Sequence, residues 1–199
     1  MSQFSRFISA TMILCFLLFL SFIVNAQVQR LSPNEGLSQS YVSNMLVDKK
    51  GYLWLATEGG LNKYDGLQVT TVNGPNDLLK DVQIDLIYED LSGVVWIATY
   101  IQGLFSYDPD SGVFRQYLFQ PSSVEQLEQQ TIYQILDVGD GQHLWLGRGT
   151  DLAILDRQSG EINTVLTIPG ANKKISLIRR MLQVDDFLFL ATSEGVFVY

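Results

Sequence analysis

Asp48-Lys-Lys-Gly51-Tyr-Leu-Trp54-Leu-Ala-Thr57-Glu-Gly-Gly60-Leu61-Asn-Lys-Tyr64-Asp65 is a phrase that the chain repeats. It returns as Asp90-Leu-Ser-Gly93-Val-Val-Trp96-Ile-Ala-Thr99-Tyr-Ile-Gln-Gly103-Leu104-Phe-Ser-Tyr107-Asp108. A third copy runs Asp140-Gly141-Gln-His-Leu-Trp145-Leu-Gly147-Arg-Gly149-Thr-Asp-Leu152-Ala-Ile-Leu155-Asp156. The fourth, Asp185-Asp-Phe-Leu-Phe189-Leu-Ala-Thr192-Ser-Glu-Gly195-Val196-Phe-Val-Tyr199, has Phe in place of Trp. The aromatics stand 42, 49 and 44 residues apart. A period in the forties, with one turn and one aromatic per unit, signals a radially repeated four-stranded sheet, the blade of a β-propeller. The fold class is therefore all-β, with about four blades of four antiparallel strands.

Each unit reads as four short strands of alternating or β-branched apolar residues, punctuated by Gly, Asp and Asn. The blades fall at approximately 41–73, 82–120, 131–169 and 175–199. Their strands are predicted over 43–47, 52–56, 61–64 and 68–72; 83–88, 94–98, 104–107 and 114–119; 132–138, 143–147, 152–155 and 162–168; then 177–184, 187–191 and 196–199. The last unit lacks its fourth strand. In the first hairpin, Asp48 accepts backbone N–H bonds and Gly51 supplies a positive φ. The large ring at mid-strand is expected to wedge between neighbouring sheets. The recurring residues are scaffold, and a binding site is carried by what differs between blades.

Ahead of the first unit, Val28–Leu31 resembles an outermost strand, which leaves two arrangements open. It could complete the fourth blade and close a four-bladed ring. The alternative, which the small size of such rings favours, is the N-terminal piece of a larger propeller of about seven blades. An open array leaves its terminal sheets facing water, which repeat proteins normally cap.

Residues 1–26 lie outside the repeat. Arg6 precedes an uncharged stretch from Ile8 to Val24, and Val24-Asn25-Ala26 suits a signal peptidase. That reads as a secretory signal cleaved before Gln27, the alternative being an uncleaved anchor. Cys15, the one cysteine, sits inside this apolar core without a lipobox. The mature chain then has no thiol for a disulfide, a nucleophile or a metal. Over 199 residues the composition is 47% hydrophobic and 17% charged, which is globular. A net charge of −8 repels phosphate backbones and argues against a nucleic-acid partner.

No catalytic constellation is legible. His143 is the single histidine, too few for an ordinary metal site or a Ser-His-Asp triad. The paired carboxylates Glu89-Asp90 and Asp185-Asp186 are adjacent, so on a strand they point to opposite faces. No metal or other cofactor is expected. A ligand would be met on the face bearing the second-to-third-strand loops, where Glu58, Tyr100, Gln102, Arg148, Asp151 and Glu194 mix an aromatic, an Arg, carboxylates and an amide. That mixture suits a sugar or another small polar molecule. The longer loop Gln120–Gln130 is a further candidate.

The phrase D-x-x-G-x-L-W-[LI]-A-T-x-x-G-L-x-x-Y-D, led by Gly36-Leu37-Ser38-Gln39-Ser40-Tyr41-Val42, resembles the two-component regulator propeller repeat. The first two copies match almost in full, the third lacks the Thr, and the fourth lacks the Trp and the hairpin Gly. The resemblance implies an N-terminal fragment of the periplasmic sensor region of a bacterial receptor, a histidine kinase or a diguanylate cyclase. In such receptors a β-sandwich, a transmembrane helix and a cytoplasmic output follow. It implies a small-molecule or oligosaccharide ligand, further blades and an output region as partners, and a homodimer in the full-length receptor. This chain shows no kinase, nucleotide-loop or cyclase motif, so the chain itself is not expected to be an enzyme. An exported scaffold that docks another protein is the alternative reading.

Overall fold

The computed structural model describes residues 28–118, 131–168 and 177–199. The expected signal segment and the loop Gln120–Gln130 lie outside the described residues. The chain divides into two compact units, Met1–Arg30 and Leu31–Tyr199. Among the described residues, no helix is long and apolar enough to cross a membrane.

The second unit is a succession of antiparallel meanders. Sheet one contains β1 (Val42–Val47), β2 (Leu53–Thr57), β3 (Gly60–Tyr64) and β4 (Val69–Val72). Sheet two contains β5 (Ile84–Glu89), β6 (Val95–Thr99), β7 (Leu104–Tyr107) and β8 (Phe114–Tyr117). Sheet three holds β9 (Ile132–Leu136), β10 (His143–Arg148), β11 (Asp151–Asp156) and β12 (Ile162–Thr167). Sheet four has three strands, β13 (Arg180–Val184), β14 (Phe187–Thr192) and β15 (Gly195–Val198). Every strand predicted within the four repeat units is present, with its described ends displaced by no more than three residues. Val28–Leu31 forms no strand, and Val28 is fully exposed.

The first strands lie side by side, β1 against β5, β5 against β9 and β9 against β13, so the sheets fan out from a common line. Each sheet turns one face, here called its front, toward the next sheet in the chain. Leu46, Trp54, Ala56 and Leu61 on the front of sheet one pack with Ile84, Ile87, Val95, Ile97 and Phe105 on the rear of sheet two. The front of sheet two, with Trp96, Ala98 and Leu104, meets Ile132, Ile135, Leu144 and Leu146. Trp145 and Leu152 of sheet three meet Ile178, Met181, Leu188 and Leu190. The rings therefore act as the sequence predicts. Trp54 sits edge-on to Tyr107 of the next sheet at 5.7 Å, and Trp145 sits edge-on to Tyr199 at 5.7 Å.

The recurring polar residues are scaffold of a specific kind. In the first two units the hairpin Asp binds its own unit's indole: Trp54 Nε1 donates to Asp48 at 2.8 Å, and Trp96 Nε1 donates to Asp90 at 2.7 Å. Gly51 and Gly93 close these hairpins at φ 86° and 90°. Thr57, Thr99 and Thr192 each donate a hydroxyl to the Gly that opens the third strand, at 2.8, 2.8 and 3.0 Å. That bond ties off the loop after the second strand in sheets one, two and four, while Arg148 stands at that place in sheet three.

Candidate functional site

The first strands carry an irregularity at one recurring place. The register of β1 on β2 shifts between Val42 and Asn44, and that of β5 on β6 shifts between Ile84 and Leu86. Against β10, Arg148 pairs with Ile132 while Gly147 pairs with Gln134. The residues left over are Ser43, Asp85 and Tyr133. In sheet four Arg179 holds the matching place, its amide bonded to the Ala191 carbonyl at 2.9 Å just ahead of β13. A bulge leaves one residue unpaired and re-aims its side chain. In three sheets one residue is thus set out of the ladder at the end where the second-to-third-strand loops lie, and Arg179 stands at the same place in sheet four. The residue type differs each time: Ser, Asp, Tyr, Arg.

Sheet one uses its residue structurally, since Ser43 donates its hydroxyl to the Ile84 carbonyl at 2.5 Å. The other three form an electrostatic group. Asp85 Oδ1 accepts a bond from Gln83 Nε2 at 2.9 Å, while Asp85 Oδ2 is buried without a partner. Burial pushes the Asp85 carboxyl above the ordinary carboxylate range, and the Gln83 bond offsets only part of that rise. Burial also raises the Tyr133 phenol, the negative charge of Asp85 raises it further, and Tyr100 adds to the rise. The Thr131 hydrogen bond and the positive charge of Arg179 act in the opposite direction. Tyr100 and Tyr133 keep part of their rings in solvent, and Arg179 is exposed. The group offers an acceptor with spare capacity, two phenol rings and a guanidinium.

The six residues expected from the sequence divide. Tyr100 joins the group, held in place by its amide bond to the Gln83 carbonyl at 3.0 Å. Arg148 and Asp151 turn toward each other across the β10–β11 hairpin at 3.5 Å. They are further engaged by Thr164 and Thr167 of β12, at 3.5 and 2.7 Å. Glu58 accepts a bond from Gln39 Nε2 at 3.4 Å on sheet one. Gln102 presents its carbonyl to Gln116 at 3.0 Å, and the Glu194 amide bonds the Thr192 hydroxyl at 3.1 Å. Asp85, Tyr133 and Arg179 were not expected. They stand 11, 12 and 10 residues before Trp96, Trp145 and Phe189, so spacing from the aromatic does not align them and only the strand pairing brings them to one place.

On the opposite end the hairpins meet through charge. Arg157 spans sheets two and three, bonding Asp90 at 2.9 Å and Asp137 at 2.6 Å. Both carboxylates are almost fully covered, and Asp137 also accepts the amides of Leu91 and Gly139 at 3.0 and 2.8 Å. Burial pulls the Asp137 carboxyl upward, but those amides and Arg157 outweigh it and hold it below the ordinary range. His143 binds Asp140 through Nδ1 at 2.7 Å, a local hairpin contact. Among the described residues, no three His, Cys, Asp or Glu side chains cluster in a way that would hold a metal ion.

A family model described as the two component regulator propeller matches residues 36–59, from Gly36 through β1 and β2 to the loop at Gly59. The chain carries a two component regulator propeller repeat. No curated protein matches the chain by sequence. Among solved structures, the extracellular domain of the hybrid two component system BT3049 from B. thetaiotaomicron is similar at 27% identity and a TM-score of 0.66. The match covers 85% of this chain and 24% of that one, so the chain spans about a quarter of that relative. The extracellular domain of the one component system BT4673 from the same organism matches at 21% identity and a TM-score of 0.64, covering 80% and 21%. Virginiamycin B lyase from Staphylococcus aureus, at 14% identity, a TM-score of 0.56 and coverage of 82% and 57%, shares the fold alone. The regulator repeat is thus set in a propeller whose relatives include the extracellular domains of signalling systems.

Proposed function

We propose that this chain is the ligand-sensing propeller module of an exported bacterial signal-transduction receptor. It works in the periplasm and relays binding to an output region beyond the residues described. The ligand is a small polyhydroxylated molecule, an oligosaccharide being the best fit to the chemistry. The observation that carries the reading is the buried, unpartnered Asp85 Oδ2 at the end of the array where its charge acts on Tyr133. A buried acceptor left open costs roughly 1–3 kcal/mol, and a hydroxyl donor from a ligand would recover it. Phenol faces at Tyr100 and Tyr133 suit the apolar face of a sugar ring, while Arg179 donates to ring or hydroxyl oxygens. The group suits recognition and presents no nucleophile with a base beside it.

Calorimetric titration of the exported chain against a panel of neutral and acidic oligosaccharides tests this. At least one should bind, and Asp85→Asn and Tyr133→Ala should each weaken it tenfold or more, while Glu194→Gln leaves it unchanged. A panel with no binder, or a binder indifferent to both substitutions, would overturn the assignment.

A further inference from the structure

The gaps between successive sheets are filled from two sides, and the strand pairing shows which residues do it. On the rear of the following sheet, the residues paired with Val95, Leu144 and Leu188 are Tyr107, Leu155 and Tyr199. Tyr107 and Tyr199 turn their rings edge-on to Trp54 and Trp145, both at 5.7 Å. On the front of the preceding sheet, the residues paired with Trp54, Trp96 and Trp145 are Lys63, Ser106 and Ile154. Lys63 extends its ammonium over the Tyr52 ring, 3.6 Å from its centre. The middle gap therefore has the smaller residue on both sides, Ser106 in front and Leu155 behind. Trp96 takes its ring partner from its own sheet instead, Tyr117 at 5.3 Å.

A cavity of about 280 Å³ lies in the outer corner of that middle gap, lined by Trp96, Ser106, Val113, Arg115, Tyr117 and Arg157. Protein interiors are close-packed, so an opening of this size between two sheets is room for a small ligand. It adjoins a groove that shares Arg115, Tyr117 and Arg157 and passes Gly160, which gives a way in. The two guanidiniums differ. Arg157 is committed through its terminal nitrogens to Asp90 and Asp137. Arg115 is exposed, and among the described residues its guanidinium has no ion pair. Asp108 also lines the cavity, its carboxylate bonded by the Ser111 hydroxyl at 2.5 Å. That negative charge leaves room for a single anionic group beside Arg115 and disfavours a dianion.

We propose that this gap is a second ligand site, for a small aromatic monocarboxylate whose ring supplies what Tyr107 and Tyr199 supply in the other gaps. The ring packs against the Trp96 and Tyr117 walls, and the carboxylate pairs with Arg115. A ring hydroxyl meets the Ser106 and Tyr117 hydroxyls, which lie 3.3 Å apart. The site is in the middle of the array, at the hairpin end, and does not rest on the reading of Asp85.

The test is calorimetric titration of the exported chain with 4-hydroxybenzoate, cyclohexanecarboxylate and inorganic phosphate. 4-Hydroxybenzoate should bind with a Kd of about 1 mM or lower, and the other two at least tenfold more weakly. Arg115→Gln, at an exposed position, should keep its circular dichroism and weaken 4-hydroxybenzoate at least tenfold. Leu155→Tyr builds into this gap the ring that the other two have, and should also weaken it tenfold or more. Should that variant fail to fold, Arg115→Gln decides alone. No binding of 4-hydroxybenzoate overturns the proposal. Equal binding of cyclohexanecarboxylate or phosphate overturns it too, as does a titration that Arg115→Gln leaves unchanged. None of these outcomes bears on oligosaccharide binding at Asp85.

Discussion

The bond from indole to hairpin carboxylate shows how one repeated residue does different work in different copies. Asp48 and Trp54 stand six residues apart, as do Asp90 and Trp96, and both indoles reach their carboxylate. Asp140 and Trp145 are five apart, so the ring is out of step and His143 takes the carboxylate instead. Trp54→Phe would strand a buried acceptor on Asp48 and should cost about 2–3 kcal/mol of unfolding free energy in urea. Trp145→Phe removes no such bond and should cost about half as much. Equal costs would mean that ring burial alone sets the energetics. Asp85 makes the opposite case. Its carboxyl titrates higher in the folded chain than in the unfolded one, so the ionised form opposes folding at neutral pH, and stability is regained as pH falls through the raised value. Asp85→Asn should therefore raise the thermal midpoint by about 2 °C at pH 7. The gain should shrink as the buffer is made more acidic.

Among the elements, the strand ladders were legible because period-two alternation and Gly-Asp punctuation are local signals. The wedge role of Trp54, Trp96 and Trp145 was legible for the same reason. The bulges were not, since an extra residue such as Asp85 or Tyr133 changes pairing without changing local composition. The loop residues Arg148 and Asp151 looked free in the sequence because nothing there shows a hairpin turning one toward the other. Arg157 is a comparable blind spot: it follows the third strand of sheet three yet serves Asp90, 67 positions earlier in the chain. Replacing it with Met would leave two covered carboxylates without their cation, which should cost about 3–5 kcal/mol. Arg157→Lys should recover part of that. Asp137 gives the same clamp a pH signature. Its folded value is depressed, so its contribution is complete above the ordinary carboxylate range and is lost as pH falls through the lowered value. Acid titration should therefore narrow the stability gap between Arg157→Met and the unaltered chain.

At the scale of the molecule, the array is a one-dimensional stack in which each sheet is stabilised by its neighbours. Sheets two and three are covered on both faces, by the clusters around Trp54 and Trp96 and then around Trp96 and Leu152. Sheet four is covered on one face, has three strands, and turns at Asp185 with a left-handed φ of 52° instead of through the longer Asp-x-x-Gly hairpin. Local opening free energies in such a stack should therefore fall toward sheet four. Hydrogen exchange followed by mass spectrometry should show β14 losing protection first and β6 last. Uniform exchange along the array would mean that the sheets unfold as one unit.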